Sequence, residues 1–302
     1  MRSLPISVIV PHFNRPQFLE EALTSIRAQT LPPSEIIVVD DHSTADVRSE
    51  LAKFKPIARI HQNSNNLGLS ETRNVGVELA SNEWVAFLDD DDLYDPRKLE
   101  LQSAYLSRHP DCEVLGGPLL RVTPDGTAQI WGYQEQRQLH LRDALRYTAS
   151  SMCTMLVSKS AYRKAGCMDR TFRHMGDLEF GIRLLATGCQ VEILPEPLVI
   201  YRHGGRDELS LQWRKTCEAH FRIIHKHRKL YRQEFGPFGA IQEYARRAQF
   251  YGRRKGKFVG RSMWAAGGVA QLIVGNACGL ETVKAAPASK HSVLEWLRRR
   301  TL

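Results

Sequence analysis

Three polar runs directly follow short apolar segments, and their residue types suit a charged ligand. They are Pro11 to Arg15, Asp40 to Thr44 and Asp89 to Asp92. Four adjacent carboxylates repel one another unless a cation or hydrogen-bond donors compensate. Mg²⁺ and Mn²⁺ prefer oxygen ligands, and Mg²⁺ typically uses one or two carboxylates together with water and substrate phosphates. The last run therefore predicts a divalent-metal site that a diphosphate completes; the alternative is a group of solvated acids that precede a helix capped by Asp95.

Two further features could contact the same ligand. Asp40 and Asp41 end an apolar segment, so one carboxylate can accept hydrogen bonds from a nucleobase or ribose while the other caps a turn with Ser43 or Thr44. Arg73 lies in the first turns of a predicted helix, where a guanidinium can reach a base or a phosphate. The alternatives are a purely structural turn for the two aspartates and an ordinary surface position for the arginine.

The elements that must position these residues alternate between β-branched runs and helical patterns over about the first 200 residues. This alternation is typical of an α/β fold, a Rossmann-like and mostly parallel sheet with helices on both faces. Ligands of such sheets collect beyond the carboxyl ends of the strands, so the three polar runs should converge on one edge. The predicted strands are 6–10, 36–39, 58–61, 84–88 and 114–116, and the predicted helices are 16–29, 70–80, a third from Pro96 and 177–187; a strand pair is predicted at 190–194 and 198–201.

Charge divides the chain into two predicted regions. Residues 1–210 carry 23 basic and 28 acidic side chains, whereas residues 211–302 carry 19 basic and five acidic ones. The corresponding net charges of −5 and +14 give the +9 of the whole chain. In the second region, apolar and basic residues alternate at helical spacing over 211–235 and 238–259. We therefore predict a first domain, 1–210, that carries the three polar runs, followed by a C-terminal extension of basic amphipathic helices, 211–302.

Cysteine usage and hydropathy bear on the location of the protein. The six cysteines contain no CxxC pair and no repeated metal-knuckle spacing, which favours reduced thiols in a cytoplasmic protein. No stretch reaches the roughly 20 apolar residues that a membrane-spanning helix needs. The basic extension could instead hold the protein peripherally against an anionic membrane, at the inner face of the plasma membrane. The alternatives are a helical cap on the first domain or an oligomer interface, and no nucleic-acid-binding module is recognisable.

The polar runs and the strands before them resemble glycosyltransferase family 2, whose members have the GT-A fold. The matching features follow the family's order and spacing over about the first 100 residues, and the similarity extends to about Ser210 through an acceptor-side segment at 160–169. The features are SVIVP at 7–11 with FNR at 13–15, VDDHST at 39–44, NLG at 66–68 with RN at 73–74, and FLDDDD at 87–92.

The resemblance implies a role for particular residues. Asp177 is the implied catalytic base, in a segment whose Gly176 stands where many members have Glu, and His42 replaces a usual glycine. Arg202 or His203 would approach a diphosphate in the family's closing segment. The implied metal ligands are Asp89 and Asp91, the DxD pair, with Asp91 as the first choice. The implied nucleotide-binding residues are Pro11, Phe13, Arg15, Asp40, Asp41, Arg73, Asp89 and Asp90.

The resemblance thus implies an inverting, metal-dependent transfer of a sugar from a nucleotide-diphosphate sugar, with a UDP-sugar favoured, to an acceptor hydroxyl. The expected cofactor is Mg²⁺ or Mn²⁺, and the expected acceptor is a glycan or a lipid-linked molecule in polysaccharide, lipopolysaccharide or glycolipid assembly. Two alternatives remain, a catalytically silent scaffold of the same fold and a sugar nucleotidyltransferase. The sequence leaves the donor sugar, the acceptor and the oligomeric state open.

Overall fold

The computed structural model describes residues 4–146, 151–203, 212–255 and 290–292. The chain divides into two compact units, Met1–Arg206 with Pro287–Leu302, and Asp207–Ala286. The strands are β1 Ile6–His12, β2 Glu35–Asp40, β3 Arg59–Gln62, β4 Trp84–Phe87, β5 Leu93–Tyr94, β6 Val114–Gly116, β7 Leu119–Val122, β8 Thr127–Trp131, β9 Arg137–Leu139, β10 Leu156–Ser158, β11 Val191–Ile193, β12 Val199–Arg202 and β13 Lys290–Ser292. The helices are α1 Pro16–Arg27, α2 Ala45–Glu50, α3 Leu69–Leu79, α4 Lys98–Arg108, α5 Leu141–Arg146, α6 Lys159–Lys164, α7 Gly176–Ala186, α8 Trp213–Lys226, α9 Arg228–Phe235 and α10 Gly239–Lys255, with short 3₁₀ turns at Leu51–Phe54 and Met152–Thr154.

The main sheet of the first unit has the order β3-β2-β1-β4-β10-β6-β11-β9. Its first four strands are parallel, as their β-branched runs and intervening helices predict. Strand β10 runs antiparallel to both of its neighbours, β4 and β6. The sheet is therefore mixed, and its parallel half contains all three strands that precede the polar runs.

Helices cover both faces of this sheet, as predicted. Along β1, Val8 and Val10 pack into one buried cluster with α1 and α4, whereas Ile9 packs into a second cluster with α3 and α7. Helix α1 forms because Pro16 occupies its first turn, and its residues Leu19, Ala22, Leu23 and Ile26 recur at helical spacing on the buried side.

Helix α3 approaches β1 unusually closely. A Cβ atom at Gly76 would lie 2.3 Å from the Ile9 side chain, so only glycine allows this contact. Residue Arg73 stands one turn earlier on the same helix. The close packing therefore fixes the backbone position from which the Arg73 side chain extends.

A second sheet has the order β13-β8-β7-β12-β5. The predicted pairing of 190–194 with 198–201 is wrong. Strand β11 pairs with β6 and β9 of the main sheet, whereas β12 pairs with β7 and β5 of the second sheet. Pro195 and Pro197 stand between them, and proline lacks the N–H that a tight hairpin ladder needs.

The described part of the second unit consists of α8, α9 and α10. The predicted helix over 211–235 is divided at His227, which ends α8 and precedes α9, and Gly236, with a φ of 82°, precedes α10. No helix among the described residues is both long and apolar enough to cross a membrane. The predicted boundary at 210/211 lies outside the described residues.

The prediction that everything after residue 210 forms a helical extension needs a correction. Strand β13 pairs antiparallel with Thr127, Ala128 and Gln129 of β8 and so belongs to the first unit. A three-residue strand carries too little periodicity to be distinguished from its surroundings in the sequence.

Candidate active site

The carboxyl ends of β1, β2 and β4 bring the three polar runs to one edge of the sheet. These strands are neighbours in the order β2-β1-β4, and the register places His12 beside Asp40. The backbone N–H of Leu88 donates to Ile9, which continues the β1–β4 ladder to the start of the acidic run. The convergence expected from the parallel topology is present.

Two side chains at and just after the end of β1, His12 and Arg15, contact the middle of the acidic run. Arg15 donates to Asp90 Oδ1 at 2.5 Å and also to Asp91 Oδ2. His12 Nδ1 lies 2.8 Å from Asp90 Oδ2. Burial lowers the pKa of Arg15, but the charges of Asp90 and Asp91 outweigh burial and raise it. Arg15 therefore stays charged. It was predicted to face the nucleotide, and in the structure it forms an ion pair with Asp91, a predicted metal ligand.

Burial and mutual repulsion disfavour the ionised form of the carboxyl groups in the rest of the acidic run. Burial and the charges of Asp89 and Asp90 raise the pKa of Asp91 to about 6, even though Arg15 opposes the shift. Asp92 is fully buried, and burial together with the charges of Asp89 and Asp91 raises its pKa. Its Oδ1 accepts from the Arg202 backbone N–H at 3.0 Å, whereas its Oδ2 is buried and has no hydrogen-bond partner. A bound cation would relieve the repulsion within this run.

Asp177 and Asp89 share one arginine. Arg73 donates from Nη1 to Asp177 Oδ1 at 2.9 Å and from Nη2 to Asp89 Oδ1 at 2.6 Å. Asp177 lies in the first turn of α7 and Asp89 follows β4, so the bridge joins elements that are distant in sequence. The predicted base and a predicted metal ligand are thus on the same side of the molecule and in one hydrogen-bonded network.

Other groups hold the second oxygen of Asp177. Asp177 Oδ2 accepts from Ser151 Oγ at 3.1 Å and from the Met152 backbone N–H at 3.0 Å. An ionised carboxylate offers about four lone-pair directions, so these three donors leave about one free. The preceding Gly176 has a spatial reason, because a Cβ there would lie 3.0 Å from Ser70 Oγ. A larger residue at that position would require the Ser70 hydroxyl to shift by a few tenths of an ångström.

Asp40 and Asp41 accept hydrogen bonds from within their own region. The Asp40 carboxylate accepts from the Ser43 hydroxyl and backbone N–H, which makes a capped turn. Asp41 Oδ1 accepts from Asn63 Nδ2 at 2.9 Å and from the Leu67 N–H at 2.8 Å, and its Oδ2 accepts from the Gly68 N–H at 2.8 Å. Asp41 is 4% exposed. These bonds anchor the loop that begins α3, and the contact between Asp41 and a base stays a prediction.

The turn after Asp41 accommodates its unusual residue. His42 has a φ of 65°, the left-handed conformation in which glycine is the usual residue, and its Nδ1 lies 3.3 Å from the Asn63 carbonyl. Asn14 also has a positive φ, and its backbone N–H donates to Ser43 Oγ. The loop after β1 and the loop after β2 are therefore joined by a hydrogen bond, although His42 stands where glycine is usual.

The remaining predicted residues lie around the same edge. Pro11 is buried in β1, and Phe13 is an exposed aromatic residue at its end. Arg202 donates to the Asp91 carbonyl and to Glu21, and its guanidinium lies 5.2 Å from the centre of the Phe18 ring. His203 follows on the same chain segment, where its N–H donates to the Val122 carbonyl at 2.8 Å. Arg202 thus adjoins the acidic run through direct contacts.

Sequence reasoning missed three contributors, His12, Ser151 and Glu21. The sequence around His12 does predict its burial. Residues two apart in a strand share a face, so His12 lies on the same buried face of β1 as Val8 and Val10. Ser151 and Glu21 have no local signal, since each reaches its partner from a distant part of the chain.

The acidic run fits a divalent cation by its chemistry. Its donors are carboxylate oxygens, the Asp91 side chain is 32% exposed, and the nearby cations are fewer than the carboxylates that they serve. Among the described residues, no group of three or more His, Cys, Asp and Glu side chains has the arrangement of a complete metal site. One or two carboxylates that share a cation with substrate phosphates do not require such a group.

Comparison with known proteins identifies the sequence family. The model of the family described as Glycosyl transferase family 2 matches residues 7–164. An uncharacterized glycosyltransferase of Haemophilus influenzae is 29% identical over 182 residues, which cover 60% of this chain and 62% of that relative. The putative teichuronic acid biosynthesis glycosyltransferase TuaG of Bacillus subtilis is 29% identical over 219 residues, 72% of this chain and 86% of TuaG. The amylovoran biosynthesis glycosyltransferase AmsE of Erwinia amylovora is 27% identical, with 66% of this chain and 76% of AmsE covered.

Solved structures show the same fold. The crystal structure of S. aureus TarS 1-349 in complex with UDP-GlcNAc superposes with a TM-score of 0.68 at 20% identity, covering 87% of this chain and 79% of that one. The crystal structure of TarS 1-349 in complex with UDP gives a TM-score of 0.59 at 16% identity, covering 96% and 97%. The likeness confirms the predicted α/β architecture of the GT-A class.

Proposed function

The chain belongs to glycosyl transferase family 2, and on this premise we propose that it transfers a sugar from a nucleotide-diphosphate sugar to an acceptor hydroxyl with inversion at the anomeric carbon. One observation carries the proposal. Arg73 holds Asp177, the group suited to remove a proton, in the same network as Asp89, which starts the acidic run suited to a cation and a diphosphate. A direct displacement needs these two functions on either side of one reacting carbon.

Relatives support the substrate class. TuaG and AmsE are described as biosynthetic glycosyltransferases for teichuronic acid and amylovoran, and the TarS crystals contain UDP-GlcNAc or UDP. We extend these properties to this chain as a UDP-sugar donor, and as a glycan or lipid-linked acceptor in cell-surface polysaccharide, lipopolysaccharide or glycolipid assembly.

In the proposed reaction, Asp177 accepts the proton of the acceptor hydroxyl as its oxygen attacks the anomeric carbon. The remaining lone-pair direction of its carboxylate receives this proton, while Arg73, Ser151 and Met152 hold the group in place. Arg202, which already contacts the acidic run, would balance charge on the diphosphate. The proposed nucleotide side consists of Pro11, Phe13, Arg15 and Asp90, whereas Asp40 and Asp41 hold the neighbouring loops through their own hydrogen bonds.

We assign Mg²⁺ or Mn²⁺ to Asp91 and Asp89. The Asp91 carboxylate is partly exposed and remains short of positive charge beside Arg15, so it suits a second cation. When bound, the ion supplies positive charge against the departing diphosphate. Arg15 already pairs with one oxygen of Asp91, and its own side chain is 39% exposed.

Product analysis tests the function. Purified protein is first screened with nucleotide sugars and Mn²⁺ by thermal shift, because a ligand that binds the native state raises its apparent stability. The stabilising donor is then incubated with candidate glycan acceptors, with Asp177→Asn as the matched variant. Acceptor-dependent release of nucleoside diphosphate and an inverted product support the proposal. Pyrophosphate would indicate nucleotidyl transfer, and the absence of turnover with retained binding would indicate a silent scaffold.

We also propose that the second unit holds the protein against an anionic membrane at the inner face of the plasma membrane. Its helices α8 and α9 expose seven Lys and Arg side chains, whereas the exposed acid among them is Glu218. Basic residues near anionic lipid contribute roughly 1 kcal/mol each. The seven are Arg214, Lys215, Arg222, Lys226, Arg228, Lys229 and Arg232.

Vesicle sedimentation tests this location. Phosphatidylcholine vesicles that contain phosphatidylglycerol should pellet the protein, and Lys226→Glu with Lys229→Glu should weaken this binding at least about tenfold. The matched control reverses the exposed Lys55 and Lys164 of the first unit and should bind like the unchanged protein. Equal pelleting of both double variants would reject the membrane proposal.

A further inference from the structure

Arg73 was expected from the sequence to reach a base or a phosphate, and in the structure its side chain is almost fully buried. Its side chain is 2% exposed, whereas the side chains of Asp89 and Asp177, to which it donates, are 26% and 25% exposed. A ligand that arrives from solvent therefore meets the two carboxylates before it meets the guanidinium. The arginine lies behind them.

We propose that Arg73 is a positioning residue that fixes the spacing between the base Asp177 and the cation ligand Asp89, without contacting the donor itself. The proposal rests on the proposed function, because it assigns Asp177 and Asp89 those roles. The guanidinium is planar and rigid, so its two Nη atoms bind the two carboxylates at one set separation.

The anchoring of Arg73 supports this role. Helix α3 cannot shift away from β1 without losing the contact that Gly76 permits, and Asp41 binds the N–H groups of Leu67 and Gly68 at the start of the same helix. The Asp41 carboxylate therefore acts on the site indirectly, by holding the helix that carries Arg73. A displaced helix would carry Arg73 away from its two carboxylates.

The charges of the bridge are unequal. Arg73 forms ion pairs with both Asp89 and Asp177. One cation serves two carboxylates, so the pair keeps a net negative charge toward solvent. That charge suits a divalent ion on the Asp89 side and an acceptor proton on the Asp177 side.

Two substitutions separate geometry from charge. Arg73→Gln removes both, whereas Arg73→Lys keeps the charge but cannot bridge two carboxylates with a single ammonium group in the same geometry. We expect kcat to fall roughly 10²-fold in Arg73→Gln and at least about tenfold in Arg73→Lys, because small misplacement of reacting groups has effects of this size. The affinity for UDP in the presence of Mn²⁺, measured by calorimetry, should stay within about threefold.

The matched control is Arg163→Lys, which alters the exposed ion pair between Arg163 and Glu78 on the surface of α6 and α3 and should change neither quantity. Thermal unfolding shows whether each variant folds, and if Arg73→Gln does not fold, Arg73→Lys decides. Wild-type kcat in Arg73→Lys would overturn the inference, as would a loss of UDP affinity above about tenfold with kcat retained. A wild-type chain without turnover would instead refute glycosyl transfer, and the inference with it.

Discussion

The two acidic strand ends of the main sheet look alike in sequence but differ in how their carboxylates are satisfied. After β2, Asp40 and Asp41 accept from a hydroxyl, an amide side chain and backbone N–H groups, all between residues 43 and 68. After β4, Asp89, Asp90 and Asp91 depend on arginines, one of which, Arg15, is 39% exposed. The first end is complete without a ligand, whereas the second is short of positive charge.

The difference teaches how to separate structural from functional carboxylates. Neutral hydrogen-bond donors that are close in sequence to a carboxylate hold a loop in place, and they provide no cationic partner that a metal ion could replace. Charged partners that are shared between carboxylates, or that reach them through a mobile side chain, can be displaced by a stronger cation. We therefore expect substitutions at the first end to change stability and substitutions at the second end to change turnover.

The largest effect should come from the second end. Removing a general base typically costs about 10²- to 10⁴-fold in rate, so Asp177→Ala should lower kcat by that order. We expect Asp91→Ala to be at least as damaging, because charge on the departing diphosphate must be balanced at this carboxylate. Steady-state turnover with Mn²⁺ measures both variants.

Asp125→Ala serves as the control for these two variants, because Asp125 is exposed in a turn of the second sheet. It should retain wild-type turnover. An Asp91→Ala enzyme that remains nearly as active as the unchanged protein would remove the distinction between the two acidic ends.

A smaller effect of a different kind is expected at the first end. Asp41→Asn leaves the N–H of Leu67 or Gly68 facing an amide donor, so the free energy of unfolding should fall by about 1–3 kcal/mol. The affinity for UDP should change by less than about threefold. Urea unfolding and calorimetry measure these two quantities, and Asp46→Asn on exposed α2 is the control. Unchanged stability with UDP affinity weakened about tenfold would restore the base contact that the family resemblance implies.

The smallest expected effect is on stability and concerns Lys98, a buried basic residue. Arg73 is also buried, but it has two carboxylate partners, so the two residues can be compared. Lys98 is fully buried, and its Nζ donates to Gln102 Oε1 at 2.7 Å. Burial lowers its pKa from 10.5 to about 7, the opposite direction from Arg73. Between these two values the unfolded chain binds a proton that the folded chain lacks, so Lys98 makes stability rise with pH across this window.

Lys98→Met should therefore flatten the pH dependence of the unfolding free energy between pH 7 and 10.5. Its gain in stability should be largest below pH 7, where Lys98 is charged in both states and the full cost of burial is present. Urea unfolding on both sides of pH 7 measures the change, with exposed Lys55→Met as the reference. Parallel pH profiles for Lys98→Met and the unchanged protein would show that Lys98 remains protonated.

Much of the parallel half of the fold could be predicted because its signals are local. Strands β1, β2 and β4 are short apolar runs that end in polar residues, and α1 begins at its proline. Helix α4 begins at Lys98 rather than Pro96, because Asp95 Oδ1 accepts from the Arg97 N–H in the turn before it. A shift of one or two residues is common at helix ends.

The antiparallel additions and the contacts of the site could not be predicted in the same way. Strand β10 has three residues, and its antiparallel neighbours β4 and β6 are separated from it by long stretches of chain. The identities of Asp177 and Asp91 followed from a family resemblance. The bridge from Arg73 to both Asp89 and Asp177, and the hold of Ser151 on Asp177, depend on packing that no local pattern encodes.

The most direct measurement is the position of Mn²⁺ in crystals of the protein grown with UDP and Mn²⁺, located by anomalous scattering. The account predicts one strong peak in coordination contact with Asp91 and with the diphosphate, on the same side as Asp177. A peak at Asp40 or Asp41, or UDP bound with no metal at Asp91, would contradict the assignment of the acidic run to the cation.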